Sequence, residues 1–304
     1  MPAPSADDEY LFYQTLIGSW PLAEPDEAGL GAYRERIEAY MLKAAREAKV
    51  RTSWAAANPE YEEALMQFIR AALERREGGL FLADFCAFNR SIVRFGLLNG
   101  LSQTLLKLTA PGVPDVYQGD ELWDFSLVDP DNRRPVDYDV RRRLLAGLAG
   151  DTAADLTLAR SLAGDLTDPR CKLFLHVRTL ELRRRDPELF RLGEYLPLKV
   201  IGQRALHLCA FARRLEGRLA VVLAPRLYLK LLGAAGTTGE GQRLQFGGEI
   251  WADTAVQLPL RPGAPLFSVL DGAEVPSIRE DGLRRMSAAA ALQSFPVALL
   301  TGRE

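Results

Sequence analysis

The sequence predicts an α+β chain of several domains, in which helices and the last part of a (β/α)8 barrel precede an antiparallel β-sandwich. Three observations lead to this prediction. Apolar residues recur at helical spacing through the first part of the chain, a long apolar helix then leads into a short strand and a polar loop, and short alternating runs follow Gly193. We therefore divide the chain into a helical subdomain (1–80), the end of a barrel (81–192) and a C-terminal β-sandwich domain (193–304).

The helical subdomain contains three helix patterns. Aromatic and aliphatic residues of Tyr10–Trp20 recur at helical spacing, and Gly29–Val50 repeats the pattern with charged residues between the apolar ones. Asn58 and Pro59 are typical of a helix start, because Asn caps free amide groups and proline fits the first turn. This third helix is predicted to end near Gly78.

The barrel segment is predicted from a helix, a strand and further helices. Leu80–Leu108 is a long apolar helix, Val113–Tyr117 a short buried strand, and Tyr138–Leu148 a short amphipathic helix. Gly150–Asp168 is rich in Ala, Gly and Asp and is predicted to be a connecting loop or frayed helix, whereas Pro169–Arg185 is a strong helix. This order fits the last unit and a half of a (β/α)8 barrel.

The C-terminal domain is predicted from short strands punctuated by glycine and proline, which is typical of an antiparallel sandwich or barrel. Gly233–Gly241 is predicted to be a loop between strands, and Ala288–Leu300 a final strand or helix that packs on the sheet. The predicted strands are Tyr195–Val200, Ala205–Ala212, Leu219–Ala224, Leu244–Phe246, Val256–Leu260 and Leu266–Leu270.

Composition excludes several function classes. The net charge of the 304-residue chain is −2, so a nucleic-acid partner has no electrostatic support. No apolar run is long enough to span a bilayer, and the first residues lack a basic and apolar leader. We therefore expect a cytoplasmic protein with no membrane and no nucleic-acid partner.

The cysteines and histidines predict neither a metal site nor a cofactor. Cys86, Cys171 and Cys209 lie far apart, whereas structural metal sites need closely spaced pairs, so we expect reduced, buried thiols. His176 and His207 have apolar neighbours and are interpreted as buried core histidines rather than catalytic bases.

The segment Thr109–Asp137 holds the densest group of polar side chains in the chain. Carboxylates, an amide, an arginine pair and a tryptophan follow the predicted strand directly. Parallel barrels present ligand-binding groups at the carboxyl ends of their strands in this way. The alternative is an ordinary pair of turns with structural ion pairs, which composition alone favours.

The order of the residues in this segment carries a resemblance to a known family. PGVPDVYQGDE resembles the last barrel strand of the alpha-amylase superfamily, and SLVDPDNRRPVDY resembles maltooligosyltrehalose synthase, which rearranges the reducing end of a maltooligosaccharide into a trehalose unit. The resemblance runs nearly end to end, but to only the C-terminal portion of a longer enzyme. Further similar segments are Asp8–Pro21, Val50–Glu62, Glu181–Leu198, Trp251–Pro259 and Ser294–Gly302.

The resemblance implies that the reacting groups are elsewhere. The superfamily takes its nucleophile, acid/base and transition-state stabiliser from three earlier barrel strands, next to Arg-x-Asp, Glu and His-Asp motifs. No histidine here precedes an aspartate, and the Arg184–Asp186 match lies at a predicted helix end. We therefore expect the chain to begin after the catalytic acids, to contain no catalytic residue and to be inactive alone, with the missing N-terminal barrel portion as its partner.

Sugar contact is the role that remains for the polar segments. Planar polar groups and an aromatic face are the usual partners of a sugar, and a rearrangement that retains glucose needs a closed pocket. A structural ion pair or turn is the alternative role for each residue. The candidate residues for contact with a maltooligosaccharide substrate are Tyr117, Gln118, Asp120, Glu121, Trp123, Asp129, Asp131, Asn132, Arg133, Arg134, Thr52, Ser53 and Trp54.

Two other classes of protein remain possible at this point. A non-catalytic carbohydrate-binding β-sandwich would expose a row of aromatic residues on its sheet, for which there are few candidates after Gly193. A purely structural piece, stable only when docked on the missing strands, would leave apolar faces uncovered and associate with itself.

Overall fold

The computed structural model describes residues 3–75, 79–148, 156–233, 246–258, 265–280 and 282–303. The chain divides into two compact units: one comprises Met1–Val93 and Asp124–Val136, and the other Arg94–Trp123 and Asp137–Glu304. The division into domains at residues 80 and 192 stays a prediction.

The first unit is helical, as the sequence predicts. Asn58 caps the third helix, since its side chain accepts a hydrogen bond from the Tyr61 amide at 3.2 Å, and Pro59 occupies the first turn. The core is rich in aromatic rings, with Trp20 packed edge-on against both Tyr33 and Phe85 at 5.1 Å between ring centres. The helices are α1 (Ala6–Ser19), α2 (Glu27–Ala48), α3 (Pro59–Ala72) and the first part of α4 (Leu80–Thr109).

The second unit begins with the rest of α4 and adds further helices. The strong helix predicted over 169–185 is confirmed, and Pro187 starts a new short helix directly after it. Part of the connecting segment predicted from residue 150 forms a helix, and residues 149–155 lie outside the described ones. These helices are α5 (Tyr138–Ala146), α6 (Leu156–Gly164), α7 (Arg170–Arg185), α8 (Pro187–Arg191), α9 (Tyr228–Leu232) and α10 (Ala288–Ala291).

Two antiparallel sheets complete the second unit among the described residues. One has the strand order β1-β3-β4-β10-β6-β7 and the other β2-β5-β9-β8. Glu216 and Gly217 connect β3 to β4, both with positive φ, as a tight two-residue hairpin turn requires. The strands are β1 (Glu194–Pro197), β2 (Val200–Ile201), β3 (Leu208–Leu215), β4 (Arg218–Pro225), β5 (Ala255–Leu258), β6 (Leu266–Ser268), β7 (Glu274–Val275), β8 (Ser277–Glu280), β9 (Leu283–Ser287) and β10 (Ala298–Arg303).

One predicted strand is wrong. Val113–Tyr117 is not a strand, and Val113 is 97% exposed instead of buried. A barrel strand is held by hydrogen bonds to its neighbours, and in the described residues this segment pairs with none. The apolar pattern alone therefore does not make this segment a strand.

Other sequence expectations have mixed outcomes. Cys171 is buried, but Cys86 and Cys209 are half-buried, and all three thiols are free. His176 is buried at 2% exposure, whereas His207 is half-exposed, so the core interpretation was wrong for His207. Residues 234–245, and with them most of two predicted segments, lie outside the described ones. In the described part of the chain, none of the helices combines the length and apolar character needed to cross a bilayer.

Candidate functional site

Asp120 is fixed by two lysines of the second unit. Its Oδ1 accepts a hydrogen bond from Lys172 Nζ at 2.6 Å, its Oδ2 accepts one from Lys107, and Lys172 also donates to the Leu122 carbonyl at 3.1 Å. The Lys172 side chain is only 9% exposed. Burial opposes ionisation of Asp120, but the two ammonium groups outweigh it and hold the pKa of the carboxyl below its usual value. The carboxylate is therefore an ionised anchor for the loop.

Glu121 and Trp123 are also held in place. Glu121 accepts a hydrogen bond from Arg141 Nε at 3.0 Å, and Arg141 also donates to the Gly119 carbonyl at 2.8 Å. The Trp123 indole N–H donates to the Leu166 carbonyl at 3.0 Å. Both candidates thus make structural contacts that tie the loop to neighbouring segments of its own unit.

Trp123 packs closely on helix α4. A Cβ atom added at Gly100 would lie 3.0 Å from the Trp123 ring, so a larger residue at this position would require the ring to shift. Lys172 Nζ lies 5.8 Å from the ring centre, within the range of a cation–π contact. The ring is half-buried and fills space in this unit.

Tyr117 and Gln118 differ from these anchors because their side chains are exposed. The Tyr117 carbonyl accepts a hydrogen bond from the Asp120 amide at 3.0 Å, which forms a turn and leaves the phenol outside. These two side chains are open to a ligand.

In the first unit, Asp131 is held by Arg36 of helix α2. The guanidinium donates from Nε to Oδ1 at 2.9 Å and from Nη2 to Oδ2 at 2.8 Å, and the Leu127 amide donates to Oδ2 at 2.7 Å. Burial opposes ionisation, but these donors outweigh it and hold the pKa of Asp131 below its usual value. Asp131 is an ionised anchor of this part of the loop.

Asp129 and Arg133 form a more exposed pair beside this anchor. Arg133 contacts the Asp129 carboxylate, and its side chain is 73% exposed. Lys43, on the same helix α2 as Arg36, donates a hydrogen bond to the Asp129 carbonyl, and its Nζ atom lies 4.0 Å from the Asp129 carboxylate. The exposed guanidinium can donate to a ligand.

Asn132 and Arg134 complete the candidates in this loop. The Asn132 Oδ1 atom is buried and accepts no hydrogen bond within the described chain. Arg134 Nε donates to the Asp131 carbonyl at 3.0 Å and its Nη2 to Ser126 Oγ at 3.1 Å, and its side chain is 52% exposed. Arg134 therefore supports the short 3₁₀ helix Asp131–Arg133 while part of its guanidinium faces solvent.

Thr52 and Trp54 are linked through Glu62 and Arg46. Buried Thr52 donates from Oγ1 to Glu62 at 2.5 Å, and Arg46 donates to both oxygens of Glu62 at 2.8 and 2.6 Å. The Arg46 guanidinium lies 4.8 Å from the centre of the Trp54 ring, and Trp54 is 61% exposed. Ser53 shapes the turn, since its Oγ accepts a hydrogen bond from the Ala56 amide at 2.9 Å.

Glu62 keeps this group together over a wide pH range. The hydrogen bonds from Arg46, against a smaller opposing effect of burial and with help from Thr52, lower its pKa to about 2. The layered group of Glu62, Arg46 and Trp54 is therefore charged and intact at neutral pH.

Sequence reasoning missed the residues that position the candidates. They lie on helices outside the candidate segments, and their role depends on tertiary contacts that no local pattern reveals. The one available signal is spacing, because side chains seven residues apart lie on the same face of a helix. The positioning residues are Arg36, Lys43, Arg46, Lys107, Arg141 and Lys172.

The sheets do not support the carbohydrate-module alternative. Among the described aromatic residues after Gly193, Phe211, Tyr228, Phe246 and Trp251 are buried. Tyr195 on β1 and Phe267 on β6 are each 43% exposed, but three other strands separate them in the sheet, so they do not form a row. The described residues also contain no group of His, Cys, Asp and Glu that could hold a metal ion.

The comparisons with known proteins agree on one family. The chain is 37% identical over 212 residues to a Mycobacterium tuberculosis protein assigned as a maltooligosyl trehalose synthase, covering 70% of this chain and 24% of that protein. The structure of maltooligosyltrehalose synthase from Arthrobacter ramosus matches at 36% identity with a TM-score of 0.71, over 97% of this chain and 32% of that one. A crystal structure of another maltooligosyl trehalose synthase matches at 27% identity with a TM-score of 0.68, over 99% and 34%. No family model matches.

The three proteins are all described as maltooligosyltrehalose synthases. In sequence and in fold, the chain is similar to the C-terminal part of maltooligosyltrehalose synthase, so the resemblance carried by its motifs is confirmed. The chain spans between a quarter and about a third of the length of these relatives.

Proposed function

We propose that the chain serves as the C-terminal part of a maltooligosyltrehalose synthase. The enzyme would be an isomerase that converts the reducing-end α-1,4 linkage of a maltooligosaccharide into an α,α-1,1 linkage by retaining intramolecular transglucosylation. The observation that carries the proposal is the 36% identity to the Arthrobacter ramosus enzyme over 97% of this chain. A cytoplasmic location, a barrel end and a face-to-face sandwich belong to the same proposal.

The reacting carboxyl groups belong, in this proposal, to polypeptide outside these 304 residues. A retaining reaction needs a nucleophile and a proton donor about 5–5.5 Å apart, and the donor needs a raised pKa. Asp120 and Asp131 have the opposite property, because lysine or arginine partners lower the pKa of each. Both are therefore ionised at neutral pH and unsuited to donate a proton.

The contribution of this chain is to contact and retain sugar. Planar guanidinium, amide and phenol groups match sugar hydroxyls, and retention of the released glucose requires many simultaneous hydrogen bonds. In the second unit the exposed candidates are Tyr117 and Gln118, and in the first unit they are Trp54, Arg133 and Arg134. The structural contacts that hold the loop are made by Asp120, Glu121, Trp123 and Asp131.

The first experiment separates the chain from its missing portion. The purified chain is incubated with maltopentaose alone, and then together with the remaining portion of the Arthrobacter ramosus enzyme. We expect a non-reducing product, followed by loss of reducing ends and by NMR of the new linkage, only in the mixture. Turnover by the chain alone at the rate of full-length relatives would refute this assignment of the reacting groups.

The second experiment tests the loop within the reconstituted enzyme. Arg133→Ala should lower the ratio of trehalose-forming turnover to hydrolysis, because a lost hydrogen bond lets the released glucose escape. Arg142→Ala is a matched control, since Arg142 is also an exposed arginine, 76% exposed and paired with Asp139 one turn away. If both variants have the wild-type product ratio, Arg133 does not contact the sugar.

A further inference from the structure

We infer that a cleft beside helix α6 in the second unit binds a small molecule through an oxyanion, either a phosphate or a carboxylate. The cleft lies between α6, the segment 246–248 and the residues of and after α10, and its volume is about 710 Å³. Volumes of this size are typical of small-molecule sites. The inference does not depend on the proposed function, because it concerns neither the polar loop nor a maltooligosaccharide.

One wall of the cleft is formed by backbone. Trp251 is fully buried, and its indole N–H donates to the Phe246 carbonyl at 2.7 Å, which fixes the segment 246–248. A Cβ atom added at Gly247 would lie 3.0 Å from the Cα and Cβ atoms of Gln293, so this backbone runs directly against the residues after α10. At Gly248 a Cβ atom would meet nothing within 4 Å, so a ligand can approach the backbone closely there.

Arg160 supplies a positive charge to the cleft. Arg160, Ala163 and Gly164 lie three and four residues apart, so they share the face of α6 that lines the cleft. The Arg160 side chain is exposed and forms no ion pair with any carboxylate in the described part of the chain. The described lining residues include neither Asp nor Glu. The guanidinium, which can donate two parallel hydrogen bonds to one oxyanion, is therefore available to an incoming anion.

Ser294 adds a hydroxyl group from the opposite side. The residue is only 7% exposed and lines the cleft, and its hydroxyl makes no hydrogen bond to any residue that the structure describes. A hydroxyl in so buried a residue normally has a hydrogen-bond partner, so Ser294 offers an unused donor to a molecule in the cleft. The exposed Gln293 amide lies next to it in the chain and can donate as well.

This set of groups favours an anion over a neutral or cationic ligand. A guanidinium only donates hydrogen bonds, and an oxyanion only accepts them, whereas the hydroxyls of a neutral sugar also need acceptors such as carboxylates. A cation would be repelled by Arg160. The rest of the ligand would contact apolar lining, which comes from Phe246 and from the alanines of α6 and α10.

The test measures binding of glucose 6-phosphate, inorganic phosphate and citrate to the purified chain by isothermal titration calorimetry at constant ionic strength, with glucose as the neutral counterpart. We expect the anions to bind and glucose not to bind. Arg160→Gln should weaken glucose 6-phosphate binding about tenfold, because a charge-assisted hydrogen bond is lost, and Arg160→Lys should weaken it less because the charge stays. Ser294→Ala should weaken it about threefold, as expected for a hydrogen bond from a neutral group.

Arg143→Gln is the matched control. Arg143 is also an exposed arginine of the second unit, on α5 and outside the lining of the cleft, so its substitution removes the same charge elsewhere. We expect this variant to bind glucose 6-phosphate like the wild type. A circular dichroism melt of each variant checks the fold. If Ser294→Ala is misfolded, the exposed Arg160 decides the result alone.

The pattern of ligands distinguishes the sources of the anion. Tighter binding of glucose 6-phosphate than of inorganic phosphate supports the site with a phosphorylated sugar as its ligand, and equal binding supports it with the free ion. Tighter binding of citrate supports it with a carboxylate. The site is overturned if none of the anions binds saturably at millimolar concentration, or if glucose binds as tightly as glucose 6-phosphate. Equal affinities of the wild type and Arg160→Gln, or equal losses in Arg160→Gln and Arg143→Gln, overturn it as well.

Discussion

Single residues of the polar loop divide into those that hold the fold and those that are open to a ligand. Asp120, Glu121 and Asp131 each have a cationic partner from a helix, while Tyr117 and Arg133 are exposed. Residue type does not distinguish the two groups, since both contain polar side chains typical of turns and of sugar sites. Whether a side chain holds the fold or is open to a ligand depends on its partner, and these partners lie on helices outside the loop.

Asp120→Asn tests the anchoring role. The substitution leaves the Lys172 ammonium, whose side chain is 9% exposed, without its counter-charge. We expect the free energy of unfolding to fall by about 2–3 kcal/mol, less than for a fully buried pair because Asp120 is itself partly exposed. Urea denaturation of the wild type and the variant measures this change in the free energy of unfolding. Asp139→Asn, which removes an exposed pair with Arg142, should cost less than about 1 kcal/mol, and equal losses would contradict the anchor.

Glu62 predicts a specific pH dependence. Arg46 lowers the pKa of Glu62 from an ordinary value near 4.5 to about 2. A carboxyl whose folded-state pKa is depressed stabilises the fold above its ordinary pKa, and this contribution disappears as pH falls from about 4.5 towards 2. Glu62→Gln should therefore be less stable than the wild type at neutral pH and approach it in acid, in urea denaturation at a series of pH values. Arg46→Met should give the same dependence of the free energy of unfolding on pH. If the wild type and Glu62→Gln differ in stability by the same amount at every pH, the Glu62–Arg46 pair is not the cause.

At the scale of elements, the sequence predicts those that depend on local interactions, such as helices and their caps. The helix over 80–108 and the cap at Asn58 depend on spacing and on one side chain, and the structure confirms both. The segment Val113–Tyr117 has the composition of a strand, but a strand also needs a neighbour, and the sequence does not say whether one is present. Strands β7, β8 and β9 were missed because they are short and, in β8 and β9, rich in charged residues.

The candidate site was predicted only at the level of segments. The motifs located the loop and Thr52–Trp54 from their order of residues. They did not reveal that Arg46 stacks on Trp54 or that two lysines share Asp120, because those contacts depend on how each helix packs against the loop and not on a repeating spacing. Tertiary partners of this kind follow from the fold and not from periodicity.

Arg213 connects elements of the second unit and gives a further prediction. It is 2% exposed on strand β3 and donates to the Thr109 carbonyl that ends α4, at 3.3 Å, and to the carbonyls of Phe190 and Gly193 at 2.9 and 2.8 Å. Arg213→Met leaves these carbonyls without a donor and should lower the free energy of unfolding by about 2–3 kcal/mol, even though it removes a buried charge.

Arg214→Met is the matched control for Arg213, on the next residue of the same strand. Arg214 contacts Glu194 at 2.8 Å with its side chain 34% exposed, so its loss should cost less than about 1 kcal/mol. Urea denaturation of both variants decides the matter. If Arg213→Met is as stable as Arg214→Met, the helix-end carbonyls find other donors and the connecting role is wrong.

At the scale of the whole molecule, the chain corresponds to about a third of the Arthrobacter ramosus enzyme, and it exposes large apolar side chains. Leu80 is 82% exposed, Phe88 50% and Val113 97%. Exposed apolar side chains favour association, because their burial removes apolar surface from water. In the proposed function, the missing portion of the enzyme covers part of this surface.

The isolated chain should therefore associate with itself, and the rest of the enzyme should suppress this. Light scattering over a range of concentrations is expected to give an average mass that rises with concentration, and a defined one-to-one complex once the remaining portion of the Arthrobacter ramosus enzyme is added. The complex should also melt at a higher temperature, because a partner that binds only the folded state stabilises it by mass action. Phe88→Ser should reduce self-association, since it replaces an apolar side chain that is 50% exposed with a polar one. A chain that stays monomeric at every concentration, with a melting temperature unaffected by the added portion, would mean that these apolar side chains do not mark a surface for the rest of the enzyme.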